Sequence, residues 1–299
     1  VGLSALAGSL AAISAANAAE MSVNGATVLT YTSADGTEVT GNPFGMKTNL
    51  AFTASGEVNG YTVSYYQASK DQFAGMSSAR LSMDMGDMGT IAFDQGSGSG
   101  LKTIDDKTPT AAEEVWDGLD AATGVTNGLV GAAGSTGVFN YVNTMGGVKF
   151  NGAWRKGSGT ANADGGVSAS GPGGAWDFAL TTDGAMFGVD GLAVGAGYGV
   201  ADSGSAAATS DHDDKHMTAF ANYSMGPVTV GYQLSEIQKG KKGSANEQAT
   251  AFGIAFNVND NLSVSYGERE VEFQTNSNIK EDGEGIAVAY TMGSIKIAG

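Results

Sequence analysis

Residues 148–155 read Val-Lys-Phe-Asn-Gly-Ala-Trp-Arg. In an extended chain successive side chains point to opposite faces, so Val148, Phe150, Gly152 and Trp154 share one face. Lys149, Asn151, Ala153 and Arg155 share the other. Strict alternation of this kind marks a strand with one apolar and one polar side. The same period of two runs outward from this stretch in both directions. Upstream it places Leu50, Phe52 and Ala54 together, then Ala79, Leu81, Met83 and Met85. Downstream come Trp176, Phe178 and Leu180, then Val228, Val230, Tyr232 and Leu234, then Phe252, Ile254, Phe256 and Val258, then Ile286, Val288 and Tyr290. The opposite face is built throughout from Gly, Ala, Ser, Thr and Asn with scattered charges. A soluble sandwich rarely repeats strands of this length so often. A membrane barrel requires strands of about 9–11 residues, apolar outside and polar inside. The expected fold is therefore all-β, a transmembrane antiparallel β-barrel.

Composition agrees. Glycine makes up 47 of 299 residues, which argues against a helical protein, since each interior glycine costs a helix about 1 kcal/mol. Only 4 prolines are present, which excludes collagen and proline-rich linkers. The 15 basic and 31 acidic residues give a net charge of −16, the wrong sign for binding a phosphate backbone, so no nucleic-acid partner is expected. With no cysteine and only His212 and His216, the chain lacks material for disulfides, thiolate zinc sites, or cysteine- or histidine-based catalysis. No enzyme, cofactor or metal is expected. Asp211-His212-Asp213-Asp214 lacks the spacing of a calcium loop and reads as a solvated outer loop. Gly195-Ala196-Gly197-Tyr198-Gly199 lacks dinucleotide spacing and reads as a strand whose small residues face a lumen.

Residues 1–18 form an apolar run of small residues closing on Ala16-Asn17-Ala18, the pattern of a signal-peptidase site. We read 1–18 as a signal peptide clipped at its N-terminus and 19–299 as the barrel. Short turns are expected at Glu57–Gly60, Gly86–Gly89, Gly226–Pro227, Asn259–Asn261 and Gly293–Ser294. Long polar segments are expected at Ser33–Gly45, Gly96–Thr136, Gly157–Gly173, Ala201–Asp214, Gln238–Asn246 and Gln274–Asp282. Turns short at one end and long at the other are the outer-membrane pattern, with the long loops extracellular. Fourteen strands and the opening of a fifteenth at Ser294 can be counted. Bacterial barrels have even strand numbers, so 16 is the expected complete count and the C-terminal end is expected to be missing.

Several features together resemble the Gram-negative general porins of the alphaproteobacterial type. They are the A-x-A site followed by Ala19-Glu20-Met21-Ser22-Val23-Asn24-Gly25, the small-residue first strand, the periodic turns, and the overlong third loop. The resemblance implies a homotrimer in outer-membrane lipid of a Gram-negative bacterium. It implies passive diffusion of small hydrophilic solutes and ions through a water-filled channel, with the third loop, 96–136, folded into the lumen as a constriction. The alternatives are a substrate-selective channel of the same architecture and a non-conducting barrel acting as an adhesin.

Within that frame the third loop opens on Gly96-Ser97-Gly98-Ser99-Gly100, read as a flexible hinge. It carries the acids Asp105, Asp106, Glu113, Glu114, Asp117 and Asp120. A short helix is expected over Ala111–Leu119. Alternation places Arg80, Lys47, Lys149, Arg155 and Arg269 on polar strand faces, as a basic wall opposite those acids. Opposed charges across a narrow opening screen solutes by charge and dipole. Phe44, Tyr61, Trp154, Trp176, Tyr223, Tyr232, Tyr266 and Tyr290 lie near strand ends, where amphipathic rings favour the headgroup level.

Overall fold

The computed structural model describes residues 20–31, 43–69, 75–114, 131–134, 136–157, 174–202, 212–274 and 279–299. The expected signal segment 1–18 lies outside the described residues. Two compact units are formed, 1–97 and 98–299.

The first unit holds β1 (Glu20–Tyr31), β2 (Phe44–Val58), β3 (Tyr61–Ser69), β4 (Met76–Asp84) and β5 (Thr90–Gln95). Each strand pairs antiparallel with the next, with Met21 opposite Ala54, Ser55 opposite Ser64, Tyr66 opposite Arg80 and Leu81 opposite Phe93. The hairpin between β2 and β3 turns on Asn59 and Gly60, at φ 52° and 80°. Positive φ at both central residues matches the twist of the flanking strands, which is why Asn-Gly is a strong hairpin signal.

The second unit holds β6 (Thr136–Met145), β7 (Val148–Arg155), β8 (Ala175–Asp183), β9 (Leu192–Ala201) and β10 (Asp214–Met225). It continues with β11 (Val228–Gln238), β12 (Asn246–Asn257), β13 (Leu262–Gln274), β14 (Ile279–Met292) and β15 (Ile295–Ala298). These too form an unbroken antiparallel meander.

The two faces of the second unit are inverted relative to a soluble protein. Large apolar rings are exposed on one face, Trp154 at 49% and Tyr232 at 51%. Stacking links Trp176 with Phe178 and Phe150 with Phe178, at ring-centroid distances of 6.4 and 6.1 Å. On the other face polar groups are buried: Asn151, Asp177, Thr218, Gln233, Ser265 and Arg269. Apolar surface turned outward and polar groups turned inward suit strands whose outer solvent is hydrocarbon.

Three local expectations need correction. The sequence reading ends the last long loop at Asp282, but β14 already begins at Ile279. The extra residues are charged because they extend the strand past the apolar band. Lys280 there lies 2.8 Å from Glu270 and 3.5 Å from Glu272 of β13. The expected helix over Ala111–Leu119 does not start: residues 111–113 are bends, and 115–119 lie outside the described residues. Thr110 accounts for the bend, donating its hydroxyl to the Glu113 carbonyl at 2.7 Å. The expected flexible hinge is also a packed structure at its end, since Ser99 and Gly100 are buried.

Candidate functional site

The third loop enters the second unit at Gly98 and crosses the polar face strand by strand. It first forms a 3-10 helix over Gly100–Ile104. The Gly100 amide donates to Asn151 Oδ1 of β7 at 2.8 Å, and the Leu101 amide to Asp177 Oδ1 of β8 at 2.9 Å. Gly100 has φ +60°, and a Cβ there would lie 1.8 Å from Asp177 Oδ1 and 2.6 Å from Ala153 Cβ. Only glycine permits that approach. Leu101 and Ile104 are fully buried against Ala179 of β8, with Phe220 of β10 packed alongside. Burial of two such side chains contributes roughly 1.5–3 kcal/mol each.

The loop then runs over β10 to β13. Gln233 of β11 serves it three times: Oε1 accepts from the Lys107 amide at 2.7 Å, and Nε2 donates to the Ile104 and Asp105 carbonyls at 2.9 Å each. Asn222 Nδ2 of β10 donates to the Lys107 carbonyl. Pro109 lies over Gly231 and Gly253, which face each other across β11 and β12. The Ala111 amide donates to Ser265 Oγ of β13 at 2.8 Å. The loop's return is pinned as well, for the Ala133 amide donates to Asp177 Oδ2 at 2.7 Å. One carboxylate therefore holds both the outgoing and the returning chain.

This docking places Asp105, Asp106 and Glu113 over the polar face. Burial, with Asp106 beside it, pushes the Asp105 carboxyl up to about 6, and nearby Lys102 offsets part of that rise. Asp117 and Asp120 lie outside the described residues. Of the expected basic wall, Lys149 and Arg155 lie on the same polar face of β7 as Asn151 and Ala153. Arg269 of β13 shares that face and is buried. In the first unit, Arg80 stands opposite Asp94 of β5 and Tyr66 of β3. Tyr66 is in turn opposite Thr53. Lys47 shares the face of Thr53 but sits six residues from it along β2, about 20 Å at ~3.3 Å per residue, so the structure does not bring Lys47 and Arg80 together.

The residues that seat the loop, Asn151, Asp177, Asn222, Gln233 and Ser265, are absent from the sequence-derived site. Each sits on the small, polar face of its strand. Alternation thus gives their orientation, but only the fold gives them a common partner.

These features (alternating strands, outward aromatics, and a long third loop strapped across the polar face) are those of an outer-membrane channel protein. The model of the Gram-negative porin family matches residues 2–296. The chain belongs to the Gram-negative porins. It is accordingly an outer-membrane β-barrel protein. No curated protein matches it in sequence. Among solved structures it is similar to a porin refined at 1.8 Å, with a TM-score of 0.66 and 14% identity, over 93% of this chain and 92% of that one. It is also similar to OmpT with loop L8 deleted, an outer-membrane protein of Vibrio cholerae (TM-score 0.58, 14% identity, 94% and 92% covered). A third is Salmonella typhi OmpF in complex with daunomycin (TM-score 0.54, 11% identity, 91% and 86% covered). At these identities the likeness concerns the fold.

Proposed function

We propose that this porin forms a water-filled channel for passive diffusion of small hydrophilic solutes and ions, narrowed by its third loop. The observation that carries this reading is the strap from Gly100 to Ala111, fixed to β7, β8, β10, β11 and β13 by backbone bonds to wall side chains. A loop held in this way narrows a lumen without filling it, and it puts Asp105 and Asp106 beside the path. Arg80, Lys149, Arg155 and Arg269 supply the opposing charge on the wall, and no catalytic step is involved. The chain works as a homotrimer in this reading. Its subunits meet through the apolar faces of β1 and β2, where Met21, Val23, Leu29, Phe44 and Met46 are exposed.

The test is single-channel recording in a planar bilayer under a salt gradient. Open channels closing in steps of three are expected, and a folded barrel that conducts nothing would refute the reading. Deleting residues 102–120 is expected to raise unitary conductance, with an unchanged step size counting against the constriction.

Acid should alter selectivity. Asp105 is ionised above about pH 6 and neutral below it. Its negative charge is therefore lost as pH falls from 7.5 to 5, and the reversal potential should shift in the direction of lower cation permeability across that interval. Asp105→Asn should flatten the transition. A variant that keeps the full pH dependence would assign it to another group.

A further inference from the structure

Beneath the docked loop lies a cavity of about 260 Å³. It is lined by Lys107 of the loop, Lys149, Thr181 and Asn151 of the wall, and an apolar floor that includes Ile104 and Phe220. Lys149 and Thr181 are directly opposite each other on β7 and β8, and Thr181 is opposite Gly195, which is opposite Phe220. Phe220 is opposite Gln233, so the cavity lies in the same row as one of the loop's anchors and beside another, Asn151. On β7 and β8, Lys149 and Thr181 lie on the short-turn side of the loop's anchors Asn151 and Asp177, toward the Gly146-Gly147 turn.

The chemistry of the lining is one-sided. Two ammonium groups, one from the loop and one from the wall, border the cavity, and no carboxylate does. Among the described residues neither ammonium has an ion pair. The Thr181 hydroxyl has no hydrogen bond within the same set and is available as a third donor. Converging donors beside an apolar floor suit a ligand with an anionic head and a short apolar tail.

We infer that the pocket formed by Lys107, Lys149, Thr181 and Phe220 is a binding subsite for small organic oxyanions, entered from the short-turn side. The charged head is held between the two lysines. The tail lies on Phe220. The subsite rests on the channel reading for its purpose, as a resting point for anionic solutes along the path, but not for its detection.

The test is calorimetric titration of the detergent-solubilised full chain with butyrate and, separately, with inorganic phosphate. Conductance plays no part in it, so a failed channel reading and a failed subsite are told apart. Butyrate is expected to bind more tightly than phosphate. Lys149→Gln and Lys107→Gln should each weaken it about tenfold or more, the effect of losing one charge-assisted hydrogen bond. Both side chains reach the cavity without bonding the loop backbone, so the strap remains in place. Lys102→Gln removes a loop charge outside the cavity and should leave binding unchanged. Three results would overturn the subsite: no butyrate binding, equal binding of the two anions, or equal losses in Lys102→Gln and Lys149→Gln.

Discussion

Replacing Asp177 with alanine should free both ends of the third loop at once. Its two oxygens accept from Leu101 at 2.9 Å and from Ala133 at 2.7 Å, and the side chain is only 2% exposed. The variant leaves two buried amides without their carboxylate acceptor. Each such loss costs about 1–3 kcal/mol, so docking weakens by about 2–6 kcal/mol. The measurement is hydrogen exchange of the Leu101 and Ala133 amides, whose protection should fall about 30-fold or more. Single-channel current should become noisier as the strap lifts and reseats. Asp177→Asn is the informative companion. It keeps one oxygen for one amide but turns an NH₂ donor toward the other, so one end should exchange faster while its partner stays protected. Unchanged protection at both amides in Asp177→Ala would mean that Leu101 and Ile104 burial alone seats the loop.

The strands of this porin were legible in the sequence because a barrel wall repeats one simple physical pattern. A residue such as Trp154 faces hydrocarbon and its neighbour Arg155 does not, and that contrast survives at every step. The strap was half legible. Its bounds follow from the lack of alternation between Gln95 and Thr136, but its seating depends on residues far apart in sequence. Gln233 meets the Ile104 carbonyl across 129 positions, and no local signal encodes such a distance. Charge misled at one point. Lys280, Glu281 and Asp282 look like loop residues by composition, yet they continue β14 opposite Glu272, Val271 and Glu270. Outside the hydrocarbon layer, a strand gains nothing from an apolar face, so the alternation fades before the pairing does. The proposed oxyanion pocket has no sequence signature either, since Lys107 and Lys149 are brought together only once the loop docks.

The glycines under Pro109 allow local preference and tertiary fit to be set against each other. Valine at position 231 should favour the strand, because β-branched residues suit a pleated surface by as much as ~1 kcal/mol over poor formers such as glycine. Judged by strand propensity alone, Gly231→Val would be neutral or stabilising. The fold predicts the opposite for the loop. A Cβ at 231 would lie 2.4 Å from Pro109 Cδ and 2.1 Å from Asn222 Oδ1, and one at 253 would lie 2.7 Å from the Pro109 carbonyl oxygen. Proline cannot rotate its ring aside, and Asn222 is the residue that holds the Lys107 carbonyl. The relief available is for the strap to rise, which breaks the Ala111–Ser265 bond as well. Gly231→Val should therefore still yield a heat-modifiable barrel, with faster exchange at Ala111 and a larger unitary conductance. Ala221→Val also raises strand propensity, on the exposed outer face of β10, and should leave both readings unchanged. If the two variants behave alike, the glycine seat is not what fixes the loop. If only Gly231→Val opens the channel, pore width is set by the absence of a side chain on the wall as much as by the charges the loop carries.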